Sequence, residues 1–337
     1  MTASVSVIIV NWNHGHLLRE CLDALSSQGY PELDITIVDN ASTDGSPAWI
    51  SHYPAIHLHA FSTNTGFSRA VNYGIEHSQG EFVLSLNADV TIRAGFVAEM
   101  VEAARQDERI GTVAPKLLQA SNPSVLDSTG LFVDRRRRPY DRGQGEEDQG
   151  QYDGGFATDL PGSLELPGRL EVFGACGGAA LYRRAMLEDV AVAGEYLDED
   201  FFAYYEDLDL AWRAQLRGWR AVYAPGAVAT HVRGWGDRLS KRERGASRPG
   251  TICGPRLALR NRYLTAIKND AWRYLLADSP RIVAAELPRL AYAAVVRPEA
   301  LLGILDLARA APGALRKRRL IRARRTVEDT AIRRWFT

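Results

Sequence analysis

The sequence predicts an α/β protein built on a doubly wound, mostly parallel sheet, followed by a basic helical segment at the C-terminal end. Short apolar, β-branched runs alternate with helical stripes of apolar residues from Val5 to about Ala114, an alternation typical of such sheets. The 337 residues suffice to bury a large core, and the 46% hydrophobic and 24% charged fractions are those of an ordinary globular protein.

The first predicted elements form a β-α-β unit. Val5 to Val10 is a continuous apolar run, as expected for a strand buried on both faces of a parallel sheet. A second strand follows around Ile35 to Val38. Between them, five apolar residues fall on one stripe of a helix: Leu17, Leu18, Cys21, Leu22 and Leu25.

The same alternation continues to residue 114. The pattern predicts a helix from about Ser68, a third strand at Phe82 to Leu86, a helix from about Gly95 to Gln106 and a short strand at Thr112 to Ala114. Periodicity is lost between Asp134 and about Glu171, which carries Gly, Pro and charged runs, so we expect a long surface excursion there.

The remaining segments return to regular structure. Val172 to Tyr182 is a glycine-rich apolar stretch that predicts a return to the core, and Phe201 to Leu216 predicts a helix. Past Gly254 the chain is helical and basic, and four prolines are expected to break it: Pro280, Pro288, Pro298 and Pro312. We therefore expect an α/β domain over residues 1–254 and a basic helical region over residues 255–337.

The composition excludes several classes of protein. The three cysteines are far apart and form no CxxC pair, which argues against a disulfide framework and a structural zinc site and favours a reducing cytosol. Val5 to Val10 follows only four residues without a basic flank, so it indicates a first strand and not a signal peptide. No apolar run reaches the ~18 residues that a membrane span needs.

The zero net charge hides an asymmetry between the two parts of the chain. Residues 1–254 contain 23 basic and 34 acidic residues, a net charge of −11, and the remainder contains 18 basic and 7 acidic residues, a net charge of +11. A basic tail beside an acidic body favours an anionic partner, either a membrane or a nucleic acid.

Polar residues follow all three of the main predicted strands. The first strand ends in Asn11-Trp12-Asn13, the second is followed by Asp39 to Gly45, and the third by Asn87-Ala88-Asp89. Open α/β sheets bind ligands at the carboxyl ends of their strands, so these tips are expected on one sheet edge, with groups for a nucleobase, a ribose and a metal. Any one tip is about equally well explained by turn and cap formation.

Seven segments in order resemble glycosyltransferase family 2, in particular its bacterial rhamnosyltransferase-like branch. Together they span residues 5 to about 234, and seven spaced matches are far more specific than one short motif. The segments are VSVIIVNWN (5–13), VDNASTDGS (38–46), NTGFSRAVNYG (64–74), LNAD (86–89), GACGGAALYRR (174–184), YEDLDLAWR (205–213) and HVRG (231–234).

The resemblance implies a GT-A fold and a nucleotide-sugar donor. It implies that Asp39 contacts the nucleobase, while Asn13, Asn40 and the Asp44-Gly45 turn line the same pocket. Asn87 stands where the family's DxD motif has its first Asp, so it retains a hydrogen bond to ribose or sugar but lacks the charge. Asn72 and the nearby Arg69, close to a helix start, are expected to assist the pyrophosphate, although a surface Arg is usually only solvated.

Asp89 resembles the metal-binding carboxylate at the end of that motif, and His231 resembles the second protein ligand. A divalent cation would neutralise the departing nucleoside diphosphate, with its pyrophosphate oxygens and water completing the ligands. An imidazole ligand favours Mn2+ over Mg2+. Without the resemblance, a histidine in the core or at a helix cap would be the better interpretation of His231.

Asp207 matches the family's general base, which takes the proton of the attacking hydroxyl. Glu206 and Asp209 lie beside it, but positions 207 and 209 are about 200° apart around a helix. Asp209 lies one turn before Arg213, a spacing that permits a salt bridge. Without the resemblance, this acidic cluster would indicate only a solvated helix N-terminus, where carboxylates complement the helix dipole.

The remaining site residues are expected near the acceptor or the diphosphate. Gly177 and Gly178 would let the backbone approach either group closely, with tight packing as an equally good alternative. Glu206 and Arg213 belong to the same predicted surface. Arg135 to Arg138 fit a lid over an anionic acceptor, although charge runs are mostly solvated.

The resemblance thus implies an inverting, metal-dependent glycosyltransferase, and because the Asn-Ala-Asp form is familiar in the rhamnosyltransferase-like branch, it favours dTDP-rhamnose as donor. Another UDP-, GDP- or dTDP-sugar, or an inactive carbohydrate-binding relative, are the alternatives. A dehydrogenase and a sugar nucleotidyltransferase are disfavoured because neither type of glycine-rich loop follows the first strand.

We expect a cytoplasmic protein acting on a glycan or lipid-linked glycan. The tail is expected to lie on an anionic membrane through Leu301, Leu302, Ile304, Leu305 and Ala308 with the basic residues at 316–325. Packing on the catalytic domain, or a homodimer, explains the stripe nearly as well. Nucleic acid is disfavoured because few aromatic residues lie among the arginines.

Overall fold

The computed structural model describes residues 2–154, 170–232 and 254–336. Twelve strands lie in these ranges: β1 (Val5–Asn11), β2 (Leu33–Asp39), β3 (Ile56–Ala60), β4 (Phe82–Asn87), β5 (Val90–Ile92), β6 (Ile110–Gln119), β7 (Asn122–Ser128), β8 (Leu131–Val133), β9 (Pro139–Asp141), β10 (Leu170–Val172), β11 (Ala179–Arg183) and β12 (Arg220–His231).

The α-helices of the described residues are α1 (Gly15–Ser26), α2 (Ser46–Ile50), α3 (Phe67–Glu76), α4 (Phe96–Arg105), α5 (Arg184–Val190), α6 (Glu206–Leu216), α7 (Gly254–Asn269), α8 (Trp272–Val296), α9 (Leu302–Arg324) and α10 (Asp329–Arg333). Short 3-10 helices occupy Glu199–Phe201 and Pro298–Leu301. None of the described helices is long and apolar enough to cross a membrane.

One mixed sheet of ten strands forms the centre of the fold, in the order β10-β12-β6-β11-β4-β1-β2-β3, with β5 paired to β12 and β7 to β6. The half that contains β4, β1, β2 and β3 is parallel, as the alternating pattern predicts. The chain adds strands on one side of β1 and then crosses to β4 on the other, which makes the β1–β4 boundary a topological switch point where α/β sheets bind ligands.

Both faces of the sheet are covered because successive side chains of a strand point to opposite sides. Val7 and Ile9 pack in one core cluster with α1 and α4, whereas Ile8 packs in a second cluster with α3, α5 and α6. The second cluster also contains Ile321, Ile332, Trp335 and Phe336 from the C-terminal end of the chain. The C-terminal helical region therefore shares a core with the sheet.

The predicted surface excursion after Asp134 was wrong in its first part. Residues 131–133 and 139–141 form the β8–β9 hairpin, and Arg137 at its turn is 3% exposed. The Arg137 guanidinium donates to Asp270 Oδ2 at 2.6 Å and to Asp278 Oδ2 at 2.8 Å. Arg137 thus holds the hairpin against the C-terminal helices and is not part of an open lid; residues 155–169 of the excursion lie outside the described residues.

The expectation that prolines break the C-terminal helices was correct only for Pro298, which begins the 3-10 helix between α8 and α9. Pro280 and Pro288 lie inside α8, and Pro312 lies inside α9. All three are exposed, as are the residues four positions before them. The carbonyl groups that lose a partner can therefore be hydrated, which lowers the cost of a proline inside a helix.

Candidate active site

The three predicted strand tips lie side by side at one edge of the sheet. In the strand register Asn11 is opposite Asp39, and Val10 is opposite Asn87. The side chain of Asn11, which is fully buried, donates to Asp39 Oδ2 at 2.7 Å and to Ser46 Oγ at 2.7 Å. Asn11, which the sequence analysis placed only at a strand tip, therefore ties the first tip to the second.

Hydrogen bonds between the loops fix the predicted donor-binding residues. Asp39 Oδ1 accepts from the Ser42 amide at 2.8 Å, and Asn13 Oδ1 accepts from the Thr43 amide at 2.7 Å. Asn13 has a φ of 60°, a conformation that Asn tolerates better than most residues. These hydrogen bonds therefore tie the loops of this edge to one another.

Asp44 and Asn40 extend this network to the neighbouring loops. Asp44 Oδ2 accepts from the Gly15 amide at 2.9 Å, and burial, which raises its pKa, is outweighed by this bond and those from Ser46, so its pKa lies below the ordinary value. Asn40 Nδ2 donates to Asn64 Oδ1 at 3.0 Å, and its Oδ1 accepts from the Thr65 amide at 2.8 Å. Both side chains brace the loops of this edge.

Asn72 and Arg69 take part in a different contact. The side-chain amide of Asn72, a residue that is 1% exposed, donates to Leu197 O at 2.7 Å and accepts from the Leu197 backbone N–H at 2.8 Å. Arg69 Nη1 lies 2.9 Å from Glu199 Oε2. These contacts hold α3 against the segment that leads to α6, so the structure gives Asn72 a bracing role.

A glycine loop between β10 and β11 brings the other predicted site residues together. The backbone N–H of Asn87 donates to Gly178 O at 2.9 Å, and the backbone N–H of Gly177 donates to Asp207 Oδ2 at 3.0 Å. A Cβ atom on Gly178 would lie 3.0 Å from His231 Cε1, and one on Gly177 would lie 3.4 Å from Asp207 Oδ2. The strand tip of β4, the imidazole and the acidic helix start therefore meet at Gly177-Gly178.

His231 lies between two carboxylates at the end of β12. Its Nε2 is 3.5 Å from Asp89 Oδ1, and its Nδ1 is 2.8 Å from Asp127 Oδ2. The pairing of β12 with β5 places His231 opposite Val90, the residue after Asp89. Burial lowers the pKa of His231, but hydrogen bonds and charge from Asp127 and Asp89 more than offset this and raise it to about 9.

Asp89 and His231 fit a cation site that needs further ligands from outside the protein. No group of three or more His, Cys, Asp or Glu residues that would suit a metal occurs in the described ranges, so the described part of the chain offers two donors here. A carboxylate oxygen and an imidazole nitrogen that converge from neighbouring strands are a suitable pair for Mn2+. The other imidazole nitrogen faces Asp127, and a carboxylate in that position is a common partner of a metal-binding histidine.

The acidic cluster at the start of α6 is divided as the helix geometry predicts. Asp209 is fully buried and bonds Arg213 at 2.9 Å, which confirms the expected salt bridge. Arg213 is 2% exposed and also donates to Val190 O and Tyr196 O. Arg213 therefore fixes α6 from within the core and is not available to an acceptor.

Glu206 and Asp207 remain on the side of the glycine loop. Glu206 is 7% exposed, and burial together with the neighbouring charge of Asp207 raises its pKa to about 8. Asp207 accepts two backbone hydrogen bonds, from Gly177 at Oδ2 and from Leu208 at Oδ1, the latter at 2.7 Å. These bonds fix the orientation of the Asp207 carboxylate at the start of the helix.

Sequence comparisons identify relatives that act on sugars. A model of the family Glycosyl transferase family 2 matches residues 6–191, more than half of the chain. N-acetylglucosaminyl-diphospho-decaprenol L-rhamnosyltransferase of Mycobacterium tuberculosis is 28% identical over 245 residues, which cover 68% of this chain and 76% of that relative. Poly-beta-1,6-N-acetyl-D-glucosamine synthase of Staphylococcus epidermidis is 23% identical over 66% of this chain and 48% of its own length.

Solved structures share the fold. The mannosyltransferase PcManGT from Pyrobaculum calidifontis, in complex with GDP-Man and Mn2+, aligns with a TM-score of 0.53 at 22% identity, over 96% of this chain and 86% of that one. TarS 1-349 of S. aureus in complex with UDP-GlcNAc aligns with a TM-score of 0.55 at 17% identity, over 98% of this chain and 89% of that one. The chain belongs to glycosyltransferase family 2, and it is a nucleotide-sugar-dependent glycosyltransferase with a GT-A fold.

Proposed function

We propose that this enzyme transfers L-rhamnose from dTDP-rhamnose to a hydroxyl of a lipid-linked glycan, with inversion at the anomeric carbon. The observation that carries the mechanism is the convergence of Asn87, Asp89, His231 and Asp207 on the loop Gly177-Gly178. The donor assignment is supported by the Asn-Ala-Asp sequence at 87–89 and by the mycobacterial rhamnosyltransferase, whose name also gives a polyprenyl diphosphate glycan as acceptor.

The donor would bind along the edge formed by the ends of β1, β2 and β4. We assign the nucleobase to Asp39 and the adjoining Asn13, with Asn40 and Asp44 holding the loops around it. Asn87 provides an uncharged amide for the ribose or the sugar. Because hydrogen bonds between the loops already fix this edge, little ordering would be needed on binding.

Asp89 and His231 are the residues that we assign to a divalent cation, which would neutralise the charge that develops on the departing diphosphate. Manganese is favoured over magnesium because one of the two protein donors is an imidazole. Asp127 accepts the Nδ1 hydrogen of His231 when Nε2 serves as a ligand, and so it fixes the tautomer and the ring orientation.

Asp207 is assigned the role of general base. Its carboxylate accepts the proton of the acceptor hydroxyl as the oxygen attacks the anomeric carbon, and the bond from that carbon to the diphosphate oxygen breaks on the opposite face. The two backbone hydrogen bonds orient the carboxylate without neutralising it. Gly177 has no Cβ atom, which would lie 3.4 Å from this carboxylate and contact it.

The test combines ligand-induced stabilisation with donor turnover. In a thermal-shift panel of dTDP, UDP and GDP with Mn2+, we expect dTDP to raise the melting temperature most, because ligands stabilise the state that binds them. Turnover of dTDP-rhamnose should stop in excess EDTA and be restored best by Mn2+. The variant Asp207→Asn should retain dTDP binding and lose at least about 100-fold in kcat.

A matched control is Asp200→Asn, which changes a carboxylate in the segment before α6 whose side chain is 54% exposed. It should turn over donor at the wild-type rate. Preferential stabilisation and turnover with UDP- or GDP-sugars would overturn the rhamnose assignment. Wild-type kcat in Asp207→Asn would remove Asp207 as the base, and binding of dTDP without any turnover by the wild type would favour an inactive relative.

A further inference from the structure

The amphipathic character of α8 is inverted relative to a normal surface helix. Its only two carboxylates, Asp278 and Glu286, are 0% and 6% exposed. Asp278 bonds Arg137 and Arg333, and Glu286 bonds Arg262 and, at 2.7 Å, the hydroxyl of Tyr263. The two carboxylates of the helix therefore face the protein, where surface helices normally place apolar residues.

The outer side of α8 carries large apolar side chains instead. Six of its apolar residues, which we call the α8 face, are between 49% and 83% exposed. They are Leu276, Val283, Leu287, Tyr292, Val295 and Val296. At about 100° per residue the first three lie within about 40° of one another around the helix, whereas the last three, near its C-terminal end, lie about 100° to 200° from Leu276. Leu302, Ile304 and Leu305 after the helix are also exposed, at 43%, 44% and 55%.

Basic residues accompany this apolar surface. The side chains of Arg273, Arg281, Arg289 and Arg309 are 50% to 76% exposed. Their nearest carboxylates are already bonded to other arginines, as Asp278 is to Arg137 and Arg333. Each such carboxylate can neutralise only one charge, so the outer arginines leave the surface around the α8 face positive.

The basic residues at 316–325, which the sequence analysis assigned to membrane contact, are for the most part used inside the protein. Arg318 is 8% exposed and donates to Ile267 O, and Lys317 bonds three carboxylates in the segment 195–200. Arg322 and Arg325 both bond Asp329. These four cations are therefore engaged within the protein, so the exposed apolar surface of α8 is the better candidate for contact with lipid.

We propose that the α8 face lies in the headgroup region of an anionic membrane, with its apolar side chains at the acyl boundary and the outer arginines against lipid phosphates. Exposed apolar side chains on a helix, with cations beside them, suit contact with the surface of an anionic membrane. A symmetric dimer through the same face is disfavoured because it would bring the same positively charged margins together.

This proposal rests on the proposed function in one respect, because a lipid-linked acceptor is the reason for the enzyme to lie at a membrane. A chain of contacts also connects α8 with Asp207, the proposed general base. Glu286 holds Arg262 and Tyr263 of α7. The side-chain Nδ2 of the adjoining Asn261 lies 2.8 to 2.9 Å from three carbonyl oxygens, those of Phe201, Ala203 and Tyr204, just before α6. That segment leads directly to Asp207. A membrane in contact with α8 would therefore lie beside α7 and α8, the two helices whose contacts hold the segment that leads to Asp207.

The experiment is sedimentation of the full-length protein with vesicles of phosphatidylcholine alone or mixed with phosphatidylglycerol. We expect binding to the anionic vesicles that weakens at high salt. The triple variant Leu276→Ser, Leu287→Ser, Val295→Ser should reduce the bound fraction about tenfold or more, because these are the most exposed aliphatic side chains of the face. Leu320→Ser on α9, at a leucine that is 49% exposed, is the matched control and should bind like the wild type.

Equal sedimentation of the triple variant and the wild type would overturn the proposal. So would a wild type that ignores both kinds of vesicle and forms a concentration-dependent dimer that the triple variant loses, since the face would then bind a second copy. Donor turnover without vesicles is measured in parallel and should be unchanged in the triple variant. Loss of vesicle binding with normal turnover, or the reverse, separates failure of this proposal from failure of the proposed function.

Discussion

Asp127 acts on the site through a hydrogen bond to the imidazole of His231. Its carboxylate is 1% exposed and lies 2.8 Å from His231 Nδ1, whereas Asp89 lies at the other ring nitrogen. A buried carboxylate in this position makes one tautomer of the imidazole more favourable and restricts rotation of the ring. We therefore regard Asp127 as a positioning residue for the proposed cation ligand.

We expect Asp127→Asn to weaken Mn2+ binding by about 10- to 100-fold, because an amide accepts a weaker hydrogen bond and leaves the ring orientation less defined. Mn2+ affinity is measured directly by calorimetry or by electron paramagnetic resonance, in the presence of the nucleoside diphosphate. Glu171→Gln removes the charge of another buried carboxylate, whose partner Arg220 lies at the far end of β12 from His231, and should leave Mn2+ affinity unchanged. An unchanged affinity in Asp127→Asn would show that Asp127 serves stability alone.

The sequence predicts which residues come together where a motif fixes both their type and their place. Asn87, Asp89, Asp207 and His231 lie in distant segments, and the structure brings them together around the glycine loop. No motif points to Asp127, because it lies in β7 and its position beside His231 depends on the pairing of that strand with β6. Two further predicted residues, Asn72 and Arg213, fit a polar site by type, yet their side chains bond backbone carbonyl groups in the interior.

The segment between the 3-10 helix at 199–201 and α6 is held in an unfavourable backbone conformation. Phe202, Tyr204 and Tyr205 have φ values of 64°, 70° and 72°, and each such residue costs on the order of 1–3 kcal/mol. The helix predicted over residues 201–216 therefore begins only at the start of α6. The side-chain amide of Asn261, which is fully buried, lies within hydrogen-bond distance of two carbonyl oxygens of this segment and of that of Phe201 at the end of the 3-10 helix. A residue of α7 therefore keeps the loop before the proposed base in place.

We expect Asn261→Ala to lower kcat for donor turnover by about tenfold or more, because small displacements of a catalytic group are costly. Donor affinity should change little, since the three bonds of the Asn261 amide are to the loop on the acceptor side of the site. Kinetics at saturating donor and a dTDP titration give the two quantities. Thr265→Val removes a buried hydroxyl whose hydrogen bond is to its own helix, and it should keep kcat. A lower melting temperature with normal kcat in Asn261→Ala would limit Asn261 to a structural role.

Elements with strong periodicity are the ones that the sequence predicts. Val5 to Val10 and Phe82 to Leu86 are strands because continuous apolar runs suit a sheet that is covered on both faces. The strand predicted at 112–114 extends in the structure to Ile110–Gln119, and β3 and β7 were not predicted. The first three residues of β7 are exposed, so its place in the sheet depends on pairing with β6 and not on its own apolar pattern.

Across the whole molecule, the opposite charges of the two parts of the chain largely meet inside the fold. Lys268 bonds Asp198 and Asp209, and Lys317 bonds three carboxylates in the segment 195–200. Burial raises the pKa of Asp198, but the charges of both lysines outweigh it and hold the pKa well below the ordinary value. The asymmetry of charge along the sequence therefore reflects attraction between the two parts and is not by itself evidence of an external anionic partner.

Removal of the C-terminal helices is expected to unfold the protein and not to yield a soluble catalytic domain. A chain cut after Pro298 lacks four residues that are 2% to 5% exposed and pack in the same cluster as Trp212 of α6, namely Ile321, Ile332, Trp335 and Phe336. Loss of a single buried aromatic side chain costs about 3–5 kcal/mol, and a whole domain has only about 5–15 kcal/mol of stability.

We therefore expect the shortened chain to be insoluble, or to lack a cooperative thermal transition in circular dichroism and calorimetry. A chain of residues 1–298 that melts cooperatively and binds dTDP would show instead that this part folds independently. Trp335→Ala in the full-length chain removes one of these buried side chains without removing a helix. It should lower the melting temperature. Leu305→Ser, at a residue that is 55% exposed, is its control and should melt like the wild type, because its side chain contributes little buried apolar area to the folded state.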